Sequence, residues 1–252
     1  MPSGSEGAIS TGKMKIDLNC DLGEGEPLTK TRSLMRCITS ANVACGGHAG
    51  NIQSMDSCVR LAKQYAVRLG AHPGLASNFG RGPIRISPPE LELLLLHQVS
   101  ALERIARSHR VRLHHIKLHG SLYHATDESD SLARVYLLTT RRWWPGARIY
   151  ARAGGRVASL ARQFSLRVWE EAFADRQYKQ DGSLVPRDRP NACLAHLQEI
   201  ARRVQQLKRS GRITTLRGSS LFLNVCTICV HSDTPGAVRI ARLCRALLDE
   251  RL

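Results

Sequence analysis

The chain has 252 residues, of which 42% are hydrophobic and 23% charged, and this composition is that of a globular protein large enough for one α/β barrel. No apolar run reaches the roughly 18 residues needed to cross a membrane, which excludes a membrane-spanning helix. The net charge of +16 would suit nucleic acid, but the basic residues are scattered without interleaved aromatic residues, which disfavours nucleic-acid binding.

Residues 1–13 are expected to form a flexible tail, with Met14 as a candidate translation start. The tail spells most of a phosphate-binding loop from Gly7 to Lys13. Met14 replaces the required Ser or Thr and no strand precedes the segment, so we reject a nucleotide site there. The start of the chain also lacks a basic stretch followed by an apolar core. We therefore expect a cytoplasmic protein with reduced thiols.

The first predicted strand covers residues 15–25 and runs into a glycine-rich turn. Asp17, Asn19 and Asp21 share one parity of this strand, so their side chains are expected on one face. Three oxygen-bearing side chains on one face suit a metal ion or a polar substrate. The alternative is that Asp17 and Asn19 satisfy backbone groups of the following turn.

The next two predicted strands each end in a histidine. Residues 37–50 form a strand that runs into glycines around His48, and residues 67–74 form one that ends at His72. A helix over residues 54–68, with apolar residues on one stripe, joins them. His72 precedes a proline, so a purely structural strand cap is the alternative to a functional role.

A fourth strand begins at Val111 and ends at Gly120. A capping box at Ser87 opens the long amphipathic helix that leads to it. Lys117 and His119 share one parity at the carboxyl end of this strand. In α/β proteins that end carries the chemistry, because the loops converge there above a rigid floor.

The second half of the chain continues the alternation of strands and helices. The predicted strands cover residues 147–155, 166–176 and 221–233. The predicted helices cover residues 129–139, 157–163, 192–208 and the segment after Thr234, and a loop covers residues 177–190. The sixth strand ends in Asp175 and Arg176, for which a buried ion pair is the structural alternative. The seventh ends in His231 and Asp233.

Eight cysteines occur, and two of them form a CxxC motif, Cys226 and Cys229. The motif lies inside the predicted seventh strand, where residues three apart point to opposite faces. A zinc or redox role is therefore disfavoured.

Seven strands alternating with helices predict one α/β domain over residues 14–252, a single-domain (β/α) barrel with seven or eight strands. An open doubly wound sheet is the alternative. A barrel would gather the strand-end residues His48, His72, His119, Asp175 and His231 into one pocket, which predicts an active site. Acidic residues also fall at strand ends, and these are Asp17, Asp21, Glu24, Glu170, Glu171, Asp175 and Asp233.

Six segments carry a family resemblance, namely residues 14–25, 40–50, 70–74, 117–123, 171–176 and 229–233. They resemble, in order, the signatures of the LamB/YcsF family, whose members are also called the A subunit of 5-oxoprolinase. The resemblance extends from Met14 to the terminal helix. The chain departs from the family pattern at Gly47, where many members have Phe, and in a short loop after Gly74.

The resemblance implies a barrel akin to glycoside hydrolases and polysaccharide deacetylases. It implies a hydrolase that acts with partner subunits B and C to open the lactam of 5-oxoproline to L-glutamate, using ATP, with Mg²⁺, through the complex. The implied catalytic residues are Asp17, His48, His72, Lys117, His119 and Asp175. The implied substrate-binding residues are Asn19, Asn42, Tyr123, Arg176, His231 and Asp233.

Within that set we interpret Asp17, His48, His72 and His119 as a general base or as ligands of a divalent metal at the barrel mouth. Lys117 or Arg176 would bind the substrate carboxylate or a developing oxyanion. Two alternatives stay open. One is a stand-alone metal-dependent deacetylase or amidase acting on a related lactam or a carbohydrate amide. The other is a non-catalytic binding module for an acidic ligand.

Overall fold

The computed structural model describes residues 15–76, 80, 82, 84–194 and 196–250, and the predicted tail over residues 1–13 lies outside them. Within these residues the strands are β1 (Asp17–Leu22), β2 (Ser40–Ala44), β3 (Arg68–His72), β4 (Leu113–Ile116), β5 (Arg148–Arg152), β6 (Val168–Phe173), β7 (Arg212–Thr214), β8 (Ser220–Phe222) and β9 (Thr227–His231). The helices are α1 (Leu28–Met35), α2 (Ile52–Gln64), α3 (Pro88–Ser108), α4 (Gly120–Glu128), α5 (Asp130–Trp143), α6 (Arg156–Gln163), α7 (Leu197–Ser210) and α8 (Ala237–Asp249).

In this part of the chain, seven parallel strands close into a barrel in the order β1-β2-β3-β4-β5-β6-β9. The closing strand is β9, because Thr227 pairs with Asp17 of β1 on one side and with Glu171 of β6 on the other. The prediction of a seven- or eight-stranded barrel is confirmed. The alternative of an open doubly wound sheet is wrong.

Each barrel strand separates an apolar outer face from a polar interior. In β1, Leu18 and Cys20 belong to the hydrophobic core between the strands and the surrounding helices. Asn19 instead donates to Glu171 at 2.9 Å and to Thr227 at 2.7 Å across the barrel. This is the period of two that the sequence predicts for β1, and the buried polar groups inside are hydrogen-bonded as burial requires.

The predicted seventh strand over residues 221–233 is wrong in its extent. Its first part is β8, which pairs antiparallel with β7 so that Leu221 lies opposite Ile213 in a small separate sheet. Its second part is β9, which joins the barrel from Thr227 onward. Two apolar segments that are continuous in sequence therefore belong to two sheets.

The helix predicted over residues 192–208 begins later, at Leu197. The preceding segment pairs with the loop that follows β6, since Cys193 bridges to Arg176 and Leu194 donates its N–H to the carbonyl of Asp175. These backbone bonds hold residues 192–194 extended against the carboxyl end of the barrel. None of the helices among the described residues is long and apolar enough to span a bilayer.

Candidate functional site

A cavity of about 760 Å³ opens at the carboxyl ends of the barrel strands. His72, Lys117 and His119 line it on one side, and Arg176 and His231 line it further round the barrel. Because all these residues follow or end parallel strands, the barrel gathers them as the sequence predicts. The cavity is therefore the candidate active site.

Three histidines and one glutamate form the tightest cluster at this mouth, which we call the histidine cluster: Glu24, His48, His72 and His119. Glu24 Oε1 lies 2.9 Å from His48 Nε2, 3.1 Å from His119 Nδ1 and 3.6 Å from His72 Nε2. His119 Nδ1 is also 3.0 Å from His72 Nε2. One carboxylate oxygen thus faces three imidazole nitrogens.

Glycines allow the histidine cluster to pack this closely. The rings of His48 and His119 stack with their centroids 3.6 Å apart. A Cβ atom at Gly74 would lie 2.4 Å from His48 Nδ1, and one at Gly80 would lie 2.6 Å from His119 Cδ2. Any side chain at Gly74 or Gly80 would collide with these rings, so both positions require glycine.

The three imidazoles of the histidine cluster differ in pKa because their surroundings differ. Burial lowers the pKa of His119 to about 4 and also lowers the pKa of His48. Burial acts in the same direction on His72, but the charge and hydrogen bond of Asp21 outweigh it and raise the pKa of His72 above its ordinary value. For Glu24, burial opposes ionisation, yet the hydrogen bonds to His119 and His48 hold its pKa far below the usual range. An ionised carboxylate therefore sits among imidazoles of different basicity.

The spacing of the histidine cluster suits a divalent metal ion. Its four ligand atoms all lie within 4.8 Å of one another. Tetrahedral zinc with bonds of about 2.0 Å sets its ligand atoms about 3.3 Å apart, and the distances to Glu24 Oε1 bracket that value. His72 Nδ1 lies 2.8 Å from the carbonyl oxygen of Lys117, which fixes the ring and leaves Nε2 toward the cluster.

A second group of potential ligands, Asp21, Cys229 and His231, is also closely spaced. Here the Lys117 ammonium already supplies a cation, since Nζ lies 2.9 Å from Asp21 Oδ1 and 3.1 Å from Cys229 Sγ. It also lies 3.0 Å from Glu171 Oε1. Burial alone would lower the pKa of Lys117, but Asp21, Cys229 and Glu171 raise it well above its ordinary value. The lysine is therefore a buried, charged counter-ion for two carboxylates.

Asn19 and Asn42, implied as substrate-binding residues, lie inside the barrel below this lysine. Asn42 donates to Asn19 Oδ1 and to Asp21 Oδ1, both at 2.7 Å. Both asparagines are fully buried. Tyr123 does line the cavity, but its hydroxyl donates to Glu171 at 3.0 Å. These side chains fix the orientation of the Asp21 and Glu171 carboxylates.

The structure does not bring Asp17 to the histidine cluster, and that expectation needs correction. Asp17 begins β1, and its carboxylate accepts from Ser40 and Thr227 and pairs with Arg68. Asp17 and Asp21 share a face of the strand, but four residues of strand separate them by about 13 Å. Asp17 lies at the amino-terminal end of the barrel, where buried residues stabilise the fold.

Asp175 and Arg176 do not pair with each other as the structural alternative expects. Asp175 Oδ1 lies 2.9 Å from His231 Nδ1, and Thr234 donates to Asp175 Oδ2 at 2.7 Å. Arg176 turns to the cavity wall and donates to the carbonyl of Val185 at 2.6 Å. Asp233 is exposed and pairs with Arg187 at 2.9 Å.

Sequence reasoning leaves Glu24 and Glu171 out of the proposed site residues, although it counts both among the acidic residues at strand ends. Glu24 lies two residues beyond β1, in a turn where no periodicity indicates which way its side chain points. Glu171 stands next to Glu170 in β6, and only the parity of the strand separates them. Glu171 faces the barrel interior, whereas Glu170 accepts from Gly154 N–H.

Comparisons with known proteins identify relatives of this chain over nearly its full length. Residues 16–251 match the sequence model of the LamB/YcsF family. The chain is 42% identical over 242 residues to the 5-oxoprolinase A subunit of Pyrococcus furiosus. This alignment covers 94% of this chain and 95% of the relative. It is 40% identical over 243 residues to the 5-oxoprolinase A subunit of Nitrobacter winogradskyi, with 94% and 95% covered. A lactam utilization protein from Thermus thermophilus superposes with a TM-score of 0.86 at 34% identity, covering 94% of this chain and 96% of that one.

Proposed function

The chain belongs to the LamB/YcsF family, and we propose that it is the A subunit of an ATP-dependent 5-oxoprolinase, which hydrolyses the lactam of 5-oxoproline to L-glutamate. The observation that carries this proposal is the histidine cluster at the cavity, in a chain similar over nearly its full length to relatives with that name. Imidazoles of different basicity beside a buried lysine are the groups that opening an amide requires.

The relatives' name identifies each of them as one subunit of an enzyme, which supports a complex of several subunits. We propose that subunits B and C act with this chain and that ATP, with Mg²⁺, is used through the complex. We also place the complex in the cytoplasm. All eight cysteines are free thiols, and a reducing compartment that contains ATP is consistent with them.

Ring opening needs activation because amide resonance stabilises the lactam. Transfer of the γ-phosphoryl group of ATP to the lactam carbonyl oxygen would release ADP and make the ring carbon electrophilic. Water then adds to that carbon, and the C–N bond breaks as the ring nitrogen takes a proton, which gives an acyl phosphate. A second water releases inorganic phosphate and leaves glutamate.

We assign the proton transfers to the histidine cluster. His119, with its pKa lowered to about 4 by burial, is neutral at pH 7 and can accept a proton from water. His72, whose pKa is raised beside Asp21, can hold a proton for the ring nitrogen. Lys117 is paired with Asp21 and Glu171, so its role is to fix the charge of the cavity floor.

The test is to mix the purified chain with subunits B and C, ATP, Mg²⁺ and 5-oxoproline, and to measure glutamate and ADP. Omitting each component in turn gives the controls. We expect glutamate only with all components present. A folded, complete mixture that forms no glutamate would contradict the proposal.

The spacing of the histidine cluster favours one second candidate function, a metal-dependent amidase that acts without partners. Glu24, His48, His72 and His119 would hold the ion. A divalent ion bound there would lower the pKa of a coordinated water and so supply a hydroxide at neutral pH. Glutamate formation by the metal-loaded chain alone, without ATP and abolished by chelation, would support this candidate over the ATP-dependent one.

A further inference from the structure

Two guanidinium groups share a wall of the cavity. Arg176 and Arg187 both belong to the loop that follows β6, and both line the cavity. Arg176 is 5% exposed, and among the described residues its Nε atom is buried without a hydrogen-bond partner. A buried guanidinium is ordinarily satisfied by a carboxylate, a phosphate or another oxyanion. Arg176 therefore carries an unsatisfied N–H in a side chain that lines the cavity.

Neither of the neighbouring carboxylates, Asp175 and Asp233, forms an ion pair with Arg176. Asp175, next in sequence to Arg176, is bonded to His231 and Thr234. Asp233 pairs with Arg187 at 2.9 Å. Burial lowers the pKa of Arg176, and the positive charge of Arg187 acts in the same direction. An anion bound by both groups would offset that charge.

Among the described residues, the remaining charged groups of the cavity lie at its rim or are already paired. Lys179, Asp188 and Glu128 are exposed, and their charges are screened by water. Lys117 and Asp21 pair with each other deep in the cavity. Among the described residues that line the cavity, and apart from the exposed Lys179, Arg176 and Arg187 are the cations without a buried carboxylate partner, since Asp233, which pairs with Arg187, is exposed. We call these two residues the arginine wall.

We propose that Arg176 and Arg187 bind the phosphoryl group of a lactam that has been phosphorylated on its carbonyl oxygen, and this inference rests on the proposed function. A carboxylate has two oxygens and one charge, which a single guanidinium satisfies. A phosphoryl group offers three terminal oxygens and up to two charges, which two guanidinium groups match. This chain would then receive the activated lactam and need no nucleotide site of its own.

The arrangement also places the reacting atoms. His72 and His119 line the same cavity as the arginine wall. A phosphoryl group held by Arg176 and Arg187 would therefore place the attached ring in the cavity that those imidazoles line. The cavity volume of about 760 Å³ exceeds what a bare five-membered lactam fills, and a phosphorylated one would occupy more of it.

The experiment uses inorganic phosphate as the probe and the full chain without partners. ³¹P NMR or calorimetric titration at constant ionic strength would give the phosphate dissociation constant for the wild type, Arg187→Gln and Arg189→Gln. Arg189 is exposed in the same loop and outside the described lining of the cavity, so it controls for the loss of one positive charge. A third variant, Arg176→Lys, is titrated in the same way. It keeps the positive charge and leaves no large cavity at this buried position. A parallel titration with 5-oxoproline tests for a carboxylate site.

We expect Arg187→Gln and Arg176→Lys each to weaken phosphate binding about tenfold, while Arg189→Gln leaves it unchanged. Equal weakening by Arg187→Gln and Arg189→Gln would show attraction by the basic surface alone and overturn the proposal. Loss of 5-oxoproline binding with phosphate binding intact would also overturn it, in favour of a carboxylate site. Because phosphate binding needs neither partners nor turnover, a failure of the subsite is distinct from a failure of ring opening.

Discussion

The Nδ1 atom of His119 lies 3.0 Å from the Nε2 atom of His72, and both nitrogens face the carboxylate of Glu24. Since a carbonyl oxygen only accepts, the bond between His72 Nδ1 and the Lys117 carbonyl places a proton on Nδ1. Two ring nitrogens at this distance need a shared proton or a bound cation between them. The histidine cluster can therefore hold either an acid–base pair or a metal ion.

Metal affinity distinguishes these two states. We expect the wild type to bind one zinc ion and Glu24→Gln to weaken that binding about 10- to 100-fold, because the substitution removes the anionic ligand. Glu128→Gln is the matched control, since Glu128 is an exposed carboxylate at the rim of the same cavity. Competition titration with a chromophoric chelator measures the constants. Equal zinc affinities of Glu24→Gln and Glu128→Gln would show that the histidine cluster is not the metal site.

Lys117→Met should destabilise the fold strongly. The substitution keeps the volume of the side chain but leaves the carboxylates of Asp21 and Glu171 buried without their ammonium partner. Breaking a buried ion pair in this way costs about 3–5 kcal/mol. Urea unfolding at pH 7 measures the change, and Lys179→Met, at an exposed lysine, should have almost no effect. A similar stability for both variants would mean that water reaches the carboxylates.

Gly47 is a packing position in this chain. A Cβ atom at Gly47 would lie 2.1 Å from the carbonyl oxygen of Gly74 and 2.3 Å from Gln98 Nε2. Gln98 fills this space and bonds both the N–H and the carbonyl of Gly74, at 3.0 and 2.9 Å.

We expect Gly47→Ala to cost about 1–3 kcal/mol of unfolding free energy, because the clash involves backbone. Gly146→Ala is the control, since a Cβ atom at Gly146 would meet no described atom within 4 Å. Thermal or urea unfolding of the two variants provides the comparison. An unchanged stability for Gly47→Ala would show that Gln98 and the Gly74 backbone move aside.

The lowered pKa of Asp175 predicts that the unfolding free energy depends on pH. Burial raises its pKa, but His231 and Thr234 outweigh burial and lower it from 3.8 to about 2. A carboxylate with a depressed pKa contributes stability above its unfolded pKa and loses it as the pH falls through the folded pKa. The shift corresponds to about 2 kcal/mol.

The unfolding free energy of the wild type should therefore exceed that of Asp175→Asn at pH 6, and the difference should fall by about half at pH 3. Urea titrations of both proteins at the two pH values measure it. A difference that stays constant between pH 6 and pH 3 would assign the effect of the substitution to packing.

The barrel can be predicted because its signals are local. The period of two in β1 places Asn19 and Asp21 on the interior face, and glycines after the strands mark where each ends. Parity gives the face of a strand but not the depth along the barrel, which is why it groups Asp17 with histidines at the opposite end. Counting the residues before each glycine turn, strand by strand, separates Asp17 from Asp21.

Other features depend on contacts distant in sequence. The pairing of Ile213 with Leu221 splits an apolar run that has the pattern of one strand, and Asn224, a residue type depleted in strands, is a weak sign of the break. Glu24 joins His48, His72 and His119 only because three loops converge at the barrel mouth. The strand-end position of Lys117 predicts an ammonium that binds substrate, but its carboxylate partners come from β1 and β6 on either side of the closing strand.

Ring opening by a histidine variant tests the central claim most directly. The assay is glutamate formation from 5-oxoproline with subunits B and C, ATP and Mg²⁺, comparing the wild type with His119→Ala and His97→Ala. His97 is exposed on α3, so its loss controls for removing a histidine. We expect His119→Ala to lower turnover at least about 100-fold, with His97→Ala unaffected and both variants folded. Wild-type turnover by His119→Ala would show that the chemistry lies elsewhere than the histidine cluster.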